Sequence, residues 1–181
     1  YMLSLPLVLL IVLGVLVVYV IGFYNRLKTI QVQIRASIQE IGNQLKRQAD
    51  LIPNLVESAK SYLKHEKDIF TLLTDARKSI DSAVKKGSAK DVDEAQSKVS
   101  QVLEGLRVIV ESNPQLASAG IVQDLMAELR DTSDKIMYAR RTLIDLSADY
   151  NQAIVTIPGV WFASLLGLNK MEEGQIGRAH V

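Results

Sequence analysis

Apolar residues recur every three or four positions along most of this sequence, a spacing that places them on one face of an α-helix. A first stripe comprises Leu27, Ile30, Ile34, Ile38, Ile41 and Leu45. It continues at Ile52, Leu55, Val56, Ala59, Leu63, Phe70, Leu73, Ala76, Ile80 and Val84. The pattern therefore predicts long amphipathic helices over the first half of the chain.

Two further amphipathic helices follow. "KKGSAKD" interrupts the pattern at Lys85, and either Ser88 or Asp91 is suited to cap a helix over residues 92–110. Its apolar face is Val92, Ala95, Val99, Val102, Leu103, Leu106 and Ile109. After "ESNPQLASAG", we expect a helix over residues 121–154. Its inward face is Leu125, Leu129, Ile136, Ala139, Leu143, Leu146 and Tyr150. Short connections between long helices, and no strand alternation, predict an all-α, antiparallel up-and-down bundle of three or four helices over residues 25–155.

Pro53 falls inside the first stripe, in "RQADLIPNLVESAK". A proline either kinks a continuous helix or occupies the first turn of a new one. The unchanged phase of the stripe across Pro53 favours the kink. Asn54 or water would then satisfy the carbonyls near Ala49 and Asp50 that lose their usual partners.

The first 25 residues carry no charged side chain, and "LPLVLLIVLGVLVVYVIGF" is almost wholly apolar. A helix over residues 5–23 would be about 28 Å long, close to a hydrocarbon core of about 30 Å. A cleaved signal peptide is the alternative, but no basic residue precedes the run and "VIGFYN" is a poor cleavage site. We expect residues 1–24 to be a retained transmembrane anchor.

Flanking charge predicts the orientation of this anchor. Residues 24–49 contain one acid, Glu40, and five basic residues, Arg26, Lys28, Arg35, Lys46 and Arg47. By the positive-inside rule the C-terminal part lies in the cytoplasm and the N-terminus outside. Arg26 and Lys28 are expected to fix topology and to contact lipid headgroups. The overall charge of +1 gives no support for a nucleic-acid partner.

The end of the chain holds a short apolar segment, residues 156–175, with "VWFASLLGL" too short to span a membrane. Two interpretations stay open: Trp161–Phe162 and Leu165–Leu166 seat in the membrane interface, or they pack back onto the bundle, which we favour. The last six residues, "IGRAHV", match the translation of a common sequencing-adapter oligonucleotide, and we expect residues 176–181 to carry no function.

No residue pattern indicates a catalytic, metal or cofactor site. The absence of cysteine excludes thiolate chemistry and disulfides. His65–Glu66 begins a zinc-protease pattern, but Ile69 stands where the second His is required. Asp50, Glu57 and Glu66 are better explained as solvated charges of a helix face.

Arg77 and Arg140 each lie beside an apolar stripe, near Asp75 and Arg141 respectively. Arginine tolerates partial burial when it is paired with a carboxylate. We favour interhelix ion pairs that set register over a polar surface for a partner.

Several blocks carry a resemblance to a known family: "YNRL", "LIPNLV", "HEKDI", "TDAR", "ESNPQL" and "DYNQAIVTIP". In content and spacing these resemble the LemA family of bacterial membrane proteins, from the anchor to about Leu168. The chain departs from the family at Ala49, Asn113 and Leu143–Ile144, where aromatic residues are usual, and keeps only the pair Tyr150–Asn151. The resemblance implies an outside N-terminus and a cytoplasmic helical bundle at the bacterial cytoplasmic membrane, and it implies no reaction.

We therefore expect a non-enzymatic scaffold or adaptor, with the lipid bilayer and a protein as partners and homo-oligomer formation open. A membrane-shaping oligomer and a hydrolase are the alternatives. The candidate interaction or structural residues are Asp50, Pro53, Asn54, His65, Glu66, Arg77, Arg140, Tyr150 and Asn151.

Overall fold

The computed structural model of the protein describes residues 5–171. The helices are α1 (Leu5–Ala59), α2 (Lys67–Lys86), α3 (Ala89–Ser112), α4 (Pro114–Ala117), α5 (Gly120–Val155) and α6 (Gly159–Ala163). No strand occurs among the described residues. A long N-terminal apolar helix is followed by packed helices, so the predicted all-α fold is confirmed. The expectation for residues 176–181 falls outside the described range.

Helix α1 continues through Pro53, so the proline does not begin a new helix. Ile52 and Leu55 on either side of it are both buried, in agreement with the unchanged phase of the stripe. The helix ends instead at Ala59, whose carbonyl accepts hydrogen bonds from the N–H groups of Tyr62 and Leu63 at 2.9 and 3.1 Å. The first break in the helical chain therefore lies at residues 60–66.

The expectation that Phe70 and Val84 belong to the buried stripe is wrong. Phe70 is half-buried and Val84 is exposed. The buried side chains of α2 are Ile69, Leu73, Ala76, Ile80 and Ala83. The middle of the stripe is therefore as predicted, and one neighbouring residue replaces the predicted one at each end of α2. Steps of three and of four residues both fit the helical period, so the pattern alone does not distinguish these neighbours.

Helix α5 shows a similar local difference from the predicted inward face. Leu125 and Leu146 are only half-buried. Met126 and Ser147, one residue further along in each case, are buried instead. Leu129, Ile136, Ala139, Leu143 and Tyr150 are buried as predicted.

The described chain divides into two compact units, of which one comprises residues 37–142. In this unit α2 and α3 pack as a helical hairpin. Gly87 ends α2 in the left-handed conformation, with a φ of 61°, which glycine adopts without steric cost. Ser88 is the N-cap of α3, because its hydroxyl accepts a hydrogen bond from the Asp91 N–H at 3.1 Å.

The other unit comprises residues 5–36 and 143–171. Here Gln31 Nε2 donates a hydrogen bond to the Tyr150 hydroxyl at 2.9 Å. Nearer the N-terminus, Phe23 packs on the backbone of Gly159, where an added Cβ would lie 2.7 Å from Phe23 Cζ. The two segments of this unit therefore run antiparallel, as predicted for neighbours in the bundle.

Candidate functional site

A layer of polar groups around the buried Gln48 joins three helices in the unit of residues 37–142, and its other members, Gln96 and Ser133, are half-buried. Gln48 is fully buried. Its Nε2 donates hydrogen bonds to Gln96 Oε1 at 3.1 Å and Ser133 Oγ at 3.0 Å, and Gln96 Nε2 donates to Gln48 Oε1 at 3.0 Å. Such mutual satisfaction fixes the register of α1 against α3 and α5, because a buried amide left unpaired is costly. The apolar pattern did not predict this layer, although Gln48 fills the gap in the stripe between Leu45 and Ile52.

A groove between α3 and α5 lies beside this layer and encloses a cavity of about 480 Å³. Arg140 forms an ion pair across it with Asp93, so the predicted interhelix ion pair is present for Arg140. The prediction is wrong for Arg77, which is exposed on α2 and pairs with no acid in the described part of the chain.

Large apolar side chains are exposed beside the charged wall of this groove. Met137 lines the groove and is 69% exposed, and Tyr138 next to it is 76% exposed. Asp134 and Arg130 lie on the same wall, one and two turns before Met137 respectively. The groove thus combines exposed apolar anchors with charges of both signs.

A second set of charges connects α1 to α5. Arg47 lies 3.1 Å from Glu128 and 3.4 Å from Asp131. Lys135, one turn beyond Asp131, lies 2.9 Å from the same carboxylate. The hydrogen bond and charge of Lys135, followed by the charge of Arg47, hold the pKa of Asp131 below its ordinary value.

Two other carboxylates are held ionised in the same way. The hydroxyl of Ser88, followed by the charge of Lys86, lowers the pKa of Asp91. The hydrogen bond and the charge of Arg107 lower the pKa of Glu104, which lines the groove. All three carboxylates are therefore anions over the whole neutral range.

The structure does not gather the residues near Pro53 into a site. Asp50 and Asn54 are exposed, and the Asn54 side chain makes no hydrogen bond with any residue from 5 to 171. Asn54 therefore does not satisfy the carbonyls near Ala49, so the expectation is wrong for Asn54, and water stays the other predicted partner. His65 is exposed in the turn of residues 60–66.

Glu66, beside His65, borders an open cavity of about 540 Å³ at the connection between α3 and α4. Tyr62, Asn113 and Pro114 form other parts of its wall. Across the described residues, no group of three or more His, Cys, Asp or Glu side chains is placed to hold a metal ion.

Tyr150 and Asn151 both have structural contacts in the unit of residues 5–36 and 143–171. Tyr150 is buried, as predicted, and holds Gln31. Asn151 forms a reciprocal pair with the backbone of Met171. Its Nδ2 donates to the Met171 carbonyl at 2.8 Å, and its Oδ1 accepts from the Met171 N–H at 2.7 Å. Sequence alone could not locate this pair, because Met171 lies 20 residues away.

The apolar start of α1 is exposed along its length and is long and apolar enough to cross a membrane. It is the one such helix in the described range. Arg26 and Lys28 follow it and are both exposed. The Lys28 ammonium lies 5.3 Å from the centre of the Tyr24 ring and donates to Gln31 at 3.3 Å.

Fold and surfaces together define the class of protein: an all-α chain in which an apolar N-terminal helix precedes packed helices. The sequence profile of the LemA family matches residues 37–180, which is most of the chain, and the protein therefore belongs to the LemA family. The resemblance seen in "LIPNLV", "HEKDI" and "TDAR" is confirmed. A search of curated proteins found no match.

Proposed function

We propose that this LemA-family protein is a single-pass protein of the bacterial cytoplasmic membrane whose helical bundle acts as a scaffold or adaptor on the cytoplasmic side. Support for a retained anchor comes from α1, in which the helix continues without a break from the apolar run to the buried residues Leu27 and Ile30. The basic residues Arg26 and Lys28 follow the run, as the positive-inside rule requires of a cytoplasmic flank.

The groove between α3 and α5 is the observation that carries the binding role. Tyr, Met and Arg are enriched at the centres of protein interfaces, where an aromatic anchor is surrounded by polar contacts. Met137 and Arg140 line the groove, and the exposed Tyr138 follows Met137 in the chain, outside the groove lining. We assign the groove to a protein partner that inserts apolar side chains against Met137 and Tyr138 and pairs with the charges of the wall.

Three carboxylates, Asp91, Glu104 and Asp131, lack the pKa shift that a general acid requires. A general acid needs a pKa raised towards neutrality so that it holds a proton to donate. The pKa values of Asp91, Glu104 and Asp131 are shifted in the opposite direction by neighbouring hydroxyl and cationic groups. Anions of this kind suit ion pairing with a partner.

Photo-crosslinking in living cells tests the proposal. Benzoylphenylalanine would replace Tyr138 in the full chain, and a control chain would carry it at Lys78, which is exposed on α2. A third position, Asn54, tests the candidate interaction residues near Pro53. We expect a discrete adduct with another protein from position 138 that is absent from position 78 and is lost in the M137E variant.

Other outcomes would overturn the proposal. Adducts between two copies of the chain at position 138 would favour the membrane-shaping oligomer. Equal adducts at positions 138 and 78, or none at 138, would show that the groove is not a docking surface. Adducts at position 54 alone would move the docking surface to the Pro53 region.

A further inference from the structure

The segment that follows α5 buries one side and exposes an apolar face on the other. Ile157, Trp161 and Leu165 recur at a spacing of four residues and are 70%, 62% and 82% exposed. Gly159 and Ala163, between them in sequence, are buried. Backbone hydrogen bonds of helical spacing, Val160 N–H to the Thr156 carbonyl and Leu166 N–H to the Phe162 carbonyl, both at 2.9 Å, flank the exposed Trp161.

This segment lies at the end of the apolar run of α1. The Gly159 backbone packs on Phe23, the last residue of that run. A helix over residues 5–23 spans about 28 Å, so Phe23 lies where a hydrocarbon core of about 30 Å meets the headgroups. The exposed apolar face is therefore at the level of the membrane boundary if α1 spans the bilayer.

The segment is also tied at its far end. The two hydrogen bonds between the Asn151 side chain and the Met171 backbone close residues 152–170 into a loop. Two attachments, at Gly159 and Met171, thus hold the apolar face in place. A C-terminal segment without tertiary contacts would have neither attachment.

We propose that Ile157, Trp161 and Leu165 form a second membrane contact, seated in the boundary between headgroups and hydrocarbon beside α1. Tryptophan is favoured at this depth, and the two aliphatic side chains leave water for the acyl region. Arg26 and Lys28 follow Phe23 in sequence, and Lys170 follows Leu165. All three are exposed and supply positive charge for lipid phosphates.

The contact has a mechanical consequence within this unit. A single helix is free to rotate about its own axis in a bilayer, whereas interfacial anchors on one side restrict its rotation and tilt. Both interpretations of the C-terminal segment then apply at once, because one of its faces packs on protein and the other contacts lipid. The inference rests on the proposed membrane anchoring by α1.

Trp161 is the single tryptophan of the chain, so its fluorescence reports on this segment alone. The full chain would be reconstituted in phosphatidylcholine–phosphatidylglycerol vesicles, with lipids brominated either near the headgroup or near the end of the acyl chain. We expect a blue-shifted emission, strong loss of intensity with the shallow bromines, weaker loss with the deep bromines, and little quenching by aqueous acrylamide.

A matched control carries W161F and V32W, which moves the single tryptophan to an exposed position on α1. Val32 lies nine residues past Phe23, about 14 Å along the helix, so acrylamide but not brominated lipid should quench this variant. N151A removes both hydrogen bonds to Met171 and is expected to weaken the shallow quenching of Trp161.

The outcomes separate the inference from the anchoring on which it rests. In one outcome, the chain floats with the vesicles and resists alkaline extraction, but only acrylamide quenches Trp161. This result would overturn the inference and leave the anchor intact. Protection of Trp161 from both quenchers would also overturn it, since another protein surface would then cover the face. Chain that alkaline washing removes from the vesicles would refute the anchor itself.

Discussion

At the scale of single residues, the bundle depends on a few polar side chains placed among apolar ones. Gln48 is buried and satisfied by Gln96 and Ser133, and Asn151 binds both backbone groups of Met171. Apolar contacts are non-directional, whereas hydrogen bonds demand particular partners. These polar residues therefore select one alignment among the several that apolar stripes alone would permit.

Replacing Gln48 by Ala should lower the free energy of unfolding by about 1–3 kcal/mol, because the Gln96 amide and the Ser133 hydroxyl lose a buried partner. Urea unfolding of the full chain in detergent, followed by circular dichroism, measures the loss. The double variant Q48L/Q96L should lose less than Q48A, since it leaves no amide unpaired. A Q48A effect no larger than that of Q152A, an exposed site on α5, would show that the layer adds nothing.

Acid should destabilise the α2–α3 hairpin partly through Asp91. The Ser88 hydroxyl, and then Lys86, lower its pKa from an ordinary value of 3.8. The ionised carboxylate therefore contributes stability that is complete above about pH 4 and is lost as pH falls through the lower folded pKa. Melting temperatures from pH 7 to pH 2 should show a shallower acid loss for D91N than for the native chain. Parallel curves would contradict this.

The cap itself can be tested at neutral pH. Ser88→Ala removes the hydroxyl that accepts from the Asp91 N–H, and we expect a loss of about 1 kcal/mol in the free energy of unfolding. Ser88→Gly is the matched control, because glycine is tolerated at an N-cap and should cost less. A larger loss for Gly than for Ala would indicate that the hydroxyl is not the important group.

At the scale of elements, α1 and α2 show what determines where helices begin and end. Proline is the poorest helix former, yet α1 passes through Pro53 because Ile52 and Leu55 on either side are buried. The real break, at residues 60–66, contains neither proline nor glycine. Tertiary packing of an amphipathic face thus outweighs local propensity in both places.

Pro53→Ala should therefore stabilise the chain, by up to about 3 kcal/mol, because alanine restores a backbone donor inside a continuous helix. Chemical unfolding in detergent gives the change, and N54A, at the exposed neighbour, should lie within about 0.5 kcal/mol of the native chain. A loss of stability in P53A would instead show that packing requires a bend at the proline.

At the scale of the whole molecule, the described chain forms two compact units with different surfaces. The unit of residues 5–36 and 143–171 carries the apolar start of α1 and the apolar face of the C-terminal segment. The unit of residues 37–142 carries the charged groove lined by Met137, and the exposed Tyr138 beside it in sequence. Lipid contact is thus proposed for one unit and protein contact for the other.

Orientation is testable with single cysteines, because the sequence contains none. Lys64→Cys places a thiol in the exposed turn between α1 and α2. We expect it to resist a membrane-impermeant maleimide in intact spheroplasts and to react after permeabilisation, since the positive-inside rule puts this turn in the cytoplasm. Labelling in intact spheroplasts would reverse the proposed topology.

Much of the fold was predictable from periodicity. Helix α5 was expected over residues 121–154 and is found at Gly120–Val155, and Ser88 was one of two predicted caps. The family was recognisable from short blocks such as "LIPNLV". The candidate sites were less predictable: Arg140 has its ion pair but Arg77 does not, and the partners of Gln48 and Asn151 were not foreseen.

The sequence by itself determined the properties that depend on neighbours along the chain: the helical period, the apolar run, the charge that follows it and the all-α class. Only the tertiary structure decided which helix faces meet, that α1 ends at Ala59, and that the Gly159 backbone packs on Phe23. The physical reason is that periodicity is a local property of the backbone. A hydrogen bond or a close contact between residues far apart in sequence exists only once packing has brought them together.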